Sequence, residues 1–184
     1  PRAEPPFTVS DHGAGLIVET DAYRVTAVEV PHFQKFGVQS LAYRVDCAHG
    51  SVVVTGDCHP TPALQELARG ADIVVNECAK PDGGMVTGGK LARSTTLAAA
   101  AGEHTHPHTT PSWLGESAQK MQARHVVATH LAPLRAMPAA RAMSQVYYGQ
   151  SEVAADVFDQ YKARIAASFT GRIDIAEDGL ILSV

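Results

Sequence analysis

The chain has 184 residues, 45% of them apolar, and a formal charge of −4. That length can bury one real core, and no run of about 18 apolar residues suggests a membrane helix. The net charge gives no electrostatic reason to expect nucleic acid, although charge can be patchy.

The opening "PRAEPPF" reads as linker, and residues 1–15 as a linker or connecting turn. No charged segment followed by an apolar stretch is present, so no signal peptide is expected. Because the chain starts at Pro1, the start reads as a cut, by processing or by partial coverage of a longer protein. "GLIVET" and "YRVTAVEV" are short β-rich runs, the second alternating in period two. "SLAYRVD", "SVVVTGD" and "ADIVVNE" follow, the last two apolar enough for buried strands. His49 falls at a hairpin tip and His12 in a Gly-rich turn. Residues 60–69 ("PTPALQELAR") predict a helix, with Pro60 and Pro62 near its start and Gly70 at its stop. The three cysteines, Cys47, Cys58 and Cys78, form no CxxC pair and fit a reduced, cytoplasmic protein. Residues 80–102 are rich in Gly and Ala and read as an excursion from the fold.

A second helix is predicted from Pro111 to Ala123, capped by Thr109 or Thr110. "HVVATHL" is another buried strand, with His125 as a connector at its start. Residues 131–150 carry Met137, Met143, Tyr147 and Tyr148, read as core filling or as a pocket wall. The longest helix spans Glu152 to Ser168, with Val153, Val157, Tyr161 and Ile165 in one stripe. "GRIDIAEDGLILSV" predicts a closing hairpin turned at Glu177-Asp178-Gly179. Strands alternating with helices spell one α/β layered domain over residues 1–184.

Four predicted strands end in His32, Asp57, Glu77 and His130. Charged and imidazole groups just past buried strands sit where α/β folds place ligands and chemistry. These are oxygen and nitrogen donors suited to zinc or manganese. "GEHTHPHTTPSW" adds His104, His106 and His108, which spacing alone leaves open between ligands, a catalytic base and loop residues.

From Asp21 to Val184 the order of these motifs resembles a metallo-β-lactamase-fold hydrolase of the ribonuclease Z branch. "VEVPHF" matches its histidine-bearing strand end, "TGDC" its "SGDT", "NECA" its "HEAT", "HTT" its "HST" and "ATHL" its last metal histidine. The chain end resembles the family's closing strand. The resemblance implies an αββα layered sandwich, of which this chain corresponds to the C-terminal half. It implies His32, Asp57 and His130 as metal ligands, Asp57 bridging two ions, with Zn²⁺ expected and Mn²⁺ or Fe as alternatives. Glu77 and His108 become a pair that protonates the leaving oxygen, His108 being oriented by Glu77. His104 and His106 become loop neighbours, and Arg44 a structural residue. Cys58 and Cys78 stand where the family has Thr and Ala, which leaves the hydrogen bonding around the ligands open.

The upstream HxHxDH motif, which supplies most ligands in that family, is not in this sequence. Three explanations follow, in this order. The chain is half of a longer enzyme, one piece of a split site completed by another chain, or a degenerate member. The reading is a metal-dependent hydrolase of a phosphodiester or related ester. A lactonase or aryl-ester hydrolase on the same fold, and a non-catalytic binding module, are the alternatives. Partners are an ester substrate and the missing half or another chain, with a homodimer open and no membrane.

Overall fold

A computed structural model describes residues 10–32, 37–80, 82, 108–131 and 156–184. Several expectations fall outside the described residues: His104, His106, most of 80–107, residues 132–150 with their Met and Tyr side chains, and Val153.

The described chain forms one seven-stranded sheet in simple chain order. Its strands are β1 (Gly15–Glu19), β2 (Tyr23–Val30), β3 (Ser40–Cys47), β4 (Gly50–Val54), β5 (Ile73–Glu77), β6 (His125–Thr129) and β7 (Arg172–Ile175). The first three pairings are antiparallel and the last three parallel. This agrees with the expected α/β class. The parallel half is the continuous apolar half: Val53, Val74, Val126 and Val127 are all buried. That is what strands covered by crossover helices require.

Three helices supply that cover: α1 (Pro62–Leu67), α2 (Pro111–Met121) and α3 (Val157–Ala166). Thr61 caps α1 by accepting from Leu64 N, and Thr110 caps α2 by accepting from Trp113 N, each with proline at the next position. α1 lies on β2 and β3, α2 against α1 and α3, and α3 against β7 as well. Their buried faces meet Val30, Ala42, Val53, Val74, Val126 and Ala128 of the sheet. Gly115 permits the α2–α3 crossing, because a Cβ there would collide with the Ile165 carbonyl. Arg44 is structural, as expected: its guanidinium donates to the Leu67 and Arg69 carbonyls at the end of α1, 2.9 and 2.8 Å away.

The closing hairpin is a correction. Its turn forms, with Leu180 N donating to Glu177 O (3.1 Å) and Gly179 at φ 86°. Among the described residues no strand returns along β7, whose pairing is parallel to β6. The tail runs instead to the β3–β4 turn, where a Cβ on Gly50 would stand 3.0 Å from Val184 Cβ. The turn is set locally by Gly179, whereas the course of the chain after it is set by tertiary packing.

Topology explains why the strand-end residues converge. β3 is antiparallel to both β2 and β4, so β2 runs with β4, β5 and β6. All four strands therefore finish at one edge of the sheet. α2 returns between β5 and β6, which brings its N-terminus to that same edge.

Candidate metal centre

Each site residue reaches this edge by a local device. β2 ends at Val30, and Pro31 then presents His32. After β4, Thr55 N still donates to Val75 O (3.1 Å), and Gly56 at φ 61° turns the chain to present Asp57. Only glycine enters that left-handed region without cost. Glu77 is the last residue of β5 and is buried. His130 follows β6 with φ 51°, a conformation of order 1 kcal/mol unfavourable for a residue with a Cβ. His108 and Thr109 lead into the Thr110 cap of α2.

These five side chains come together. Asp57 Oδ2 lies 3.8 Å from His32 Nε2 and 3.5 Å from His130 Nε2. One ligand atom from each of His32, Asp57 and His108 falls within 4.8 Å of the other two. The His108 ring centroid is 5.3 Å from that of His32 and 5.5 Å from that of His130. His108 Nδ1 stands 3.3 Å from Glu77 Oε2. It is buried and makes no hydrogen bond.

Glu77 is the anchor of the loops. Its Oε1 accepts from Thr109 N (2.5 Å) and Cys58 N (3.3 Å), and its Oε2 from Ala79 N (2.9 Å). One buried carboxylate thus ties together the segments that carry Asp57 and His108. Thr109 Oγ1 adds a bond to the Cys58 carbonyl (2.8 Å), and Asp82 accepts from Ser112 N and Oγ at the start of α2. Cys58 and Cys78 are both buried, and the Cys58 thiol meets the Thr55 side chain. Burial, with the nearby Glu77 charge, pushes the Cys58 thiol up to about 12 and the Cys78 thiol well above its ordinary value. Both stay neutral thiols at pH 7.

The donors fit a divalent ion. Ligand atoms bonded to one tetrahedral zinc at about 2.0–2.1 Å stand roughly 3.3 Å from each other. The separations of 3.5 and 3.8 Å at Asp57 approach that value. They exceed the usual N–H···O length of about 2.7–3.2 Å.

Sequence reasoning underrated one histidine. His125, expected to be a connector, is buried, with Nε2 2.9 Å from Asp174 Oδ2. Its partner lies on the next strand, 49 residues along the chain, and only the β6–β7 register, His125 opposite Arg172, brings them together. The alternation in "GRIDI" was the available signal.

No protein-family model matches the chain. Over 177 residues it is 24% identical to the ribonuclease Z of Mycobacterium marinum, which covers 96% of this chain and 53% of that protein. Among solved structures it resembles the metallo-β-lactamase fold protein YhfI from Bacillus subtilis, with a TM-score of 0.62 at 16% identity over 94% of this chain and 54% of that one. Human tRNase Z, short form, follows with a TM-score of 0.53 at 17% identity, covering 91% and 46%. The chain has the metallo-β-lactamase fold, and its sequence is similar to the ribonuclease Z branch of that superfamily. It spans about half the length of the curated relatives it matches.

Proposed function

We propose that this chain carries one half of the active site of a metal-dependent hydrolase acting on a phosphodiester or a related ester. The observation that carries the reading is the convergence of His32, Asp57, Glu77, His108 and His130 at one sheet edge. In this reading His32, Asp57 and His130 hold the metal, Zn²⁺ suiting imidazole and carboxylate donors best. A divalent ion held there would supply Lewis acidity towards the ester oxygen and the attacking water.

The chain's own groups do the rest. His108 delivers a proton to the departing oxygen, a contribution worth about 10²–10⁴-fold. Glu77 orients the ring from the Nδ1 side and offsets the positive charge of its protonated form. Because three backbone N–H groups hold Glu77, the pair is set before substrate arrives. The Glu–His pair favours a leaving oxygen that needs a proton, which suits a phosphodiester better than a lactam. The names of the relatives bring RNA linkages within this substrate class, whereas the charge of −4 supplies no net attraction for a polyanion.

The test is Asp57→Ala in the full-length protein, assayed for metal content and for hydrolysis of a chromogenic phosphodiester. Both should fall by more than the roughly 10–100-fold that outer-sphere substitutions cost at metal sites. Unchanged metal and unchanged hydrolysis would end the reading and favour a non-catalytic binding module.

A further inference from the structure

Among the described residues, one lysine stands at the sheet edge that carries the metal centre. Lys80 lies just past the end of β5, and its N–H donates to the Thr109 carbonyl (3.3 Å), beside His108. The other described lysines and arginines begin strands, close helices or lie along α3.

We propose that the Lys80 ammonium, held on the Trp113 ring, takes a phosphate oxygen of the substrate at the rim of the metal centre and so selects anionic phosphodiesters over neutral esters. The proposal rests on the metal-dependent reading and narrows its substrate class.

Three features carry it. First, the ammonium is posed without being paired. Its Nζ stands 5.6 Å from the centroid of the Trp113 ring, and among the described residues it forms no ion pair. The nearby carboxylate, Asp82, is committed to α2, accepting from Ser112 N (3.0 Å) and Ser112 Oγ (2.7 Å). Second, the ammonium has given up part of its water. Burial pulls Lys80 below its ordinary value, and the Asp82 charge offsets only part of that shift. A cation that has lost water without gaining an anion recovers the loss when an anion arrives. Third, both partners are fixed by the loops that carry the site. Lys80 follows Glu77 on the β5 end and is tied to Thr109, and the exposed Trp113 is tied through its N–H to the Thr110 cap. An exposed cation–π contact adds little to stability. Its effect here is to hold a charge beside Glu77 and His108.

A neutral lactone or aryl ester offers this charge nothing, whereas a phosphodiester brings a full negative charge. Lys80 donates to a non-bridging oxygen, which positions the ester and leaves the bond-breaking step to His108 and the metal.

The experiment uses the full-length, metal-loaded protein with two chromogenic substrates, bis(p-nitrophenyl) phosphate and the neutral p-nitrophenyl acetate. Lys80→Met should raise KM for the phosphodiester by about 10–100-fold, the worth of one hydrogen bond to a charged group, with kcat nearly unchanged. Its KM for the acetate should stay at the wild-type value. Lys80→Arg should recover most of the loss, which also excludes a folding defect at this position. Trp113→Leu, which frees the ammonium, should show a smaller loss. The wild-type KM for the phosphodiester should climb with salt, and that slope should flatten in Lys80→Met. An unchanged phosphodiester KM in Lys80→Met, or a rise shared equally by the acetate, would overturn the proposal and leave the metal-dependent reading standing. A wild type with no metal-dependent hydrolysis of either substrate would overturn both.

Discussion

The two ends of the parallel strands both carry histidines and carboxylates, yet they treat them differently. At the N-terminal end, Asp72 Oδ2 accepts from Ser51 N and Oγ at 2.8 and 2.9 Å, and Arg124 meets its other oxygen at 2.8 Å. His125 and Arg172 both reach Asp174 Oδ2, at 2.9 and 2.8 Å. At the C-terminal end the corresponding separations are 3.3, 3.5 and 3.8 Å. Groups at the first end satisfy each other and hold strands in register. Groups at the second are held near one another at the spacing of co-ligands, and His130 accepts backbone strain to be there. Residue type alone does not separate a structural His–carboxylate pair from a metal site. Separation, strain and the position of the sheet edge do.

The sharpest way to break this contrast is at Glu77. Glu77→Gln keeps the volume but removes the charge beside His108 and one acceptor from the loops. Hydrolysis should fall by about 10²–10⁴-fold. Metal affinity, read by titration of the metal-free protein, should fall by only about 10–100-fold. Equal losses in both would mean that Glu77 acts on the metal alone. His125→Ala probes the other end. It should lower stability by about 1–3 kcal/mol, since the buried ring and its hydrogen bond to the half-buried Asp174 are lost while Arg172 still meets that carboxylate, with metal binding and hydrolysis unchanged. A lost metal site in that variant would erase the distinction between the two ends.

The smallest effect concerns acid stability. Asp72 lies below its ordinary value of 3.8, chiefly because Ser51 donates backbone and side-chain hydrogen bonds, with Arg124 and Arg44 adding to it. A depressed carboxylate stabilises the fold above its unfolded pKa and loses that contribution as pH falls through the folded value. Asp72→Asn should therefore be less stable at neutral pH and lose less on acidification below about pH 4, seen in urea midpoints across that range. Parallel pH profiles for variant and wild type would remove Asp72 from the account.

Much of the site was legible in sequence because strands end where their apolar runs end. A polar residue after each buried run could be placed at the sheet edge without knowing the register. The ordered set His32, Asp57, Glu77, His108 and His130 therefore survived as a spatial cluster. Helix starts were legible for the same local reason, since Thr61 and Thr110 cap through their own side chains. What escaped depended on partners far along the chain. His125 meets Asp174 only through strand pairing, Gly115 matters only because α3 crosses it, and the tail leaves its turn for Gly50. The role of Glu77 as a loop anchor was equally hidden, because its three donors are backbone groups that no side-chain motif reveals.

The central claim is that the sheet edge is a metal site built around Asp57. Its most direct test is the metal-to-protein ratio of the 184-residue chain by elemental analysis after Zn²⁺ loading and desalting, with Asp57→Ala prepared alongside. The account predicts about one ion per wild-type chain, as three protein ligands can hold, and a ratio near zero for the variant. Equal ratios in the two proteins, whether both loaded or both empty, would contradict it.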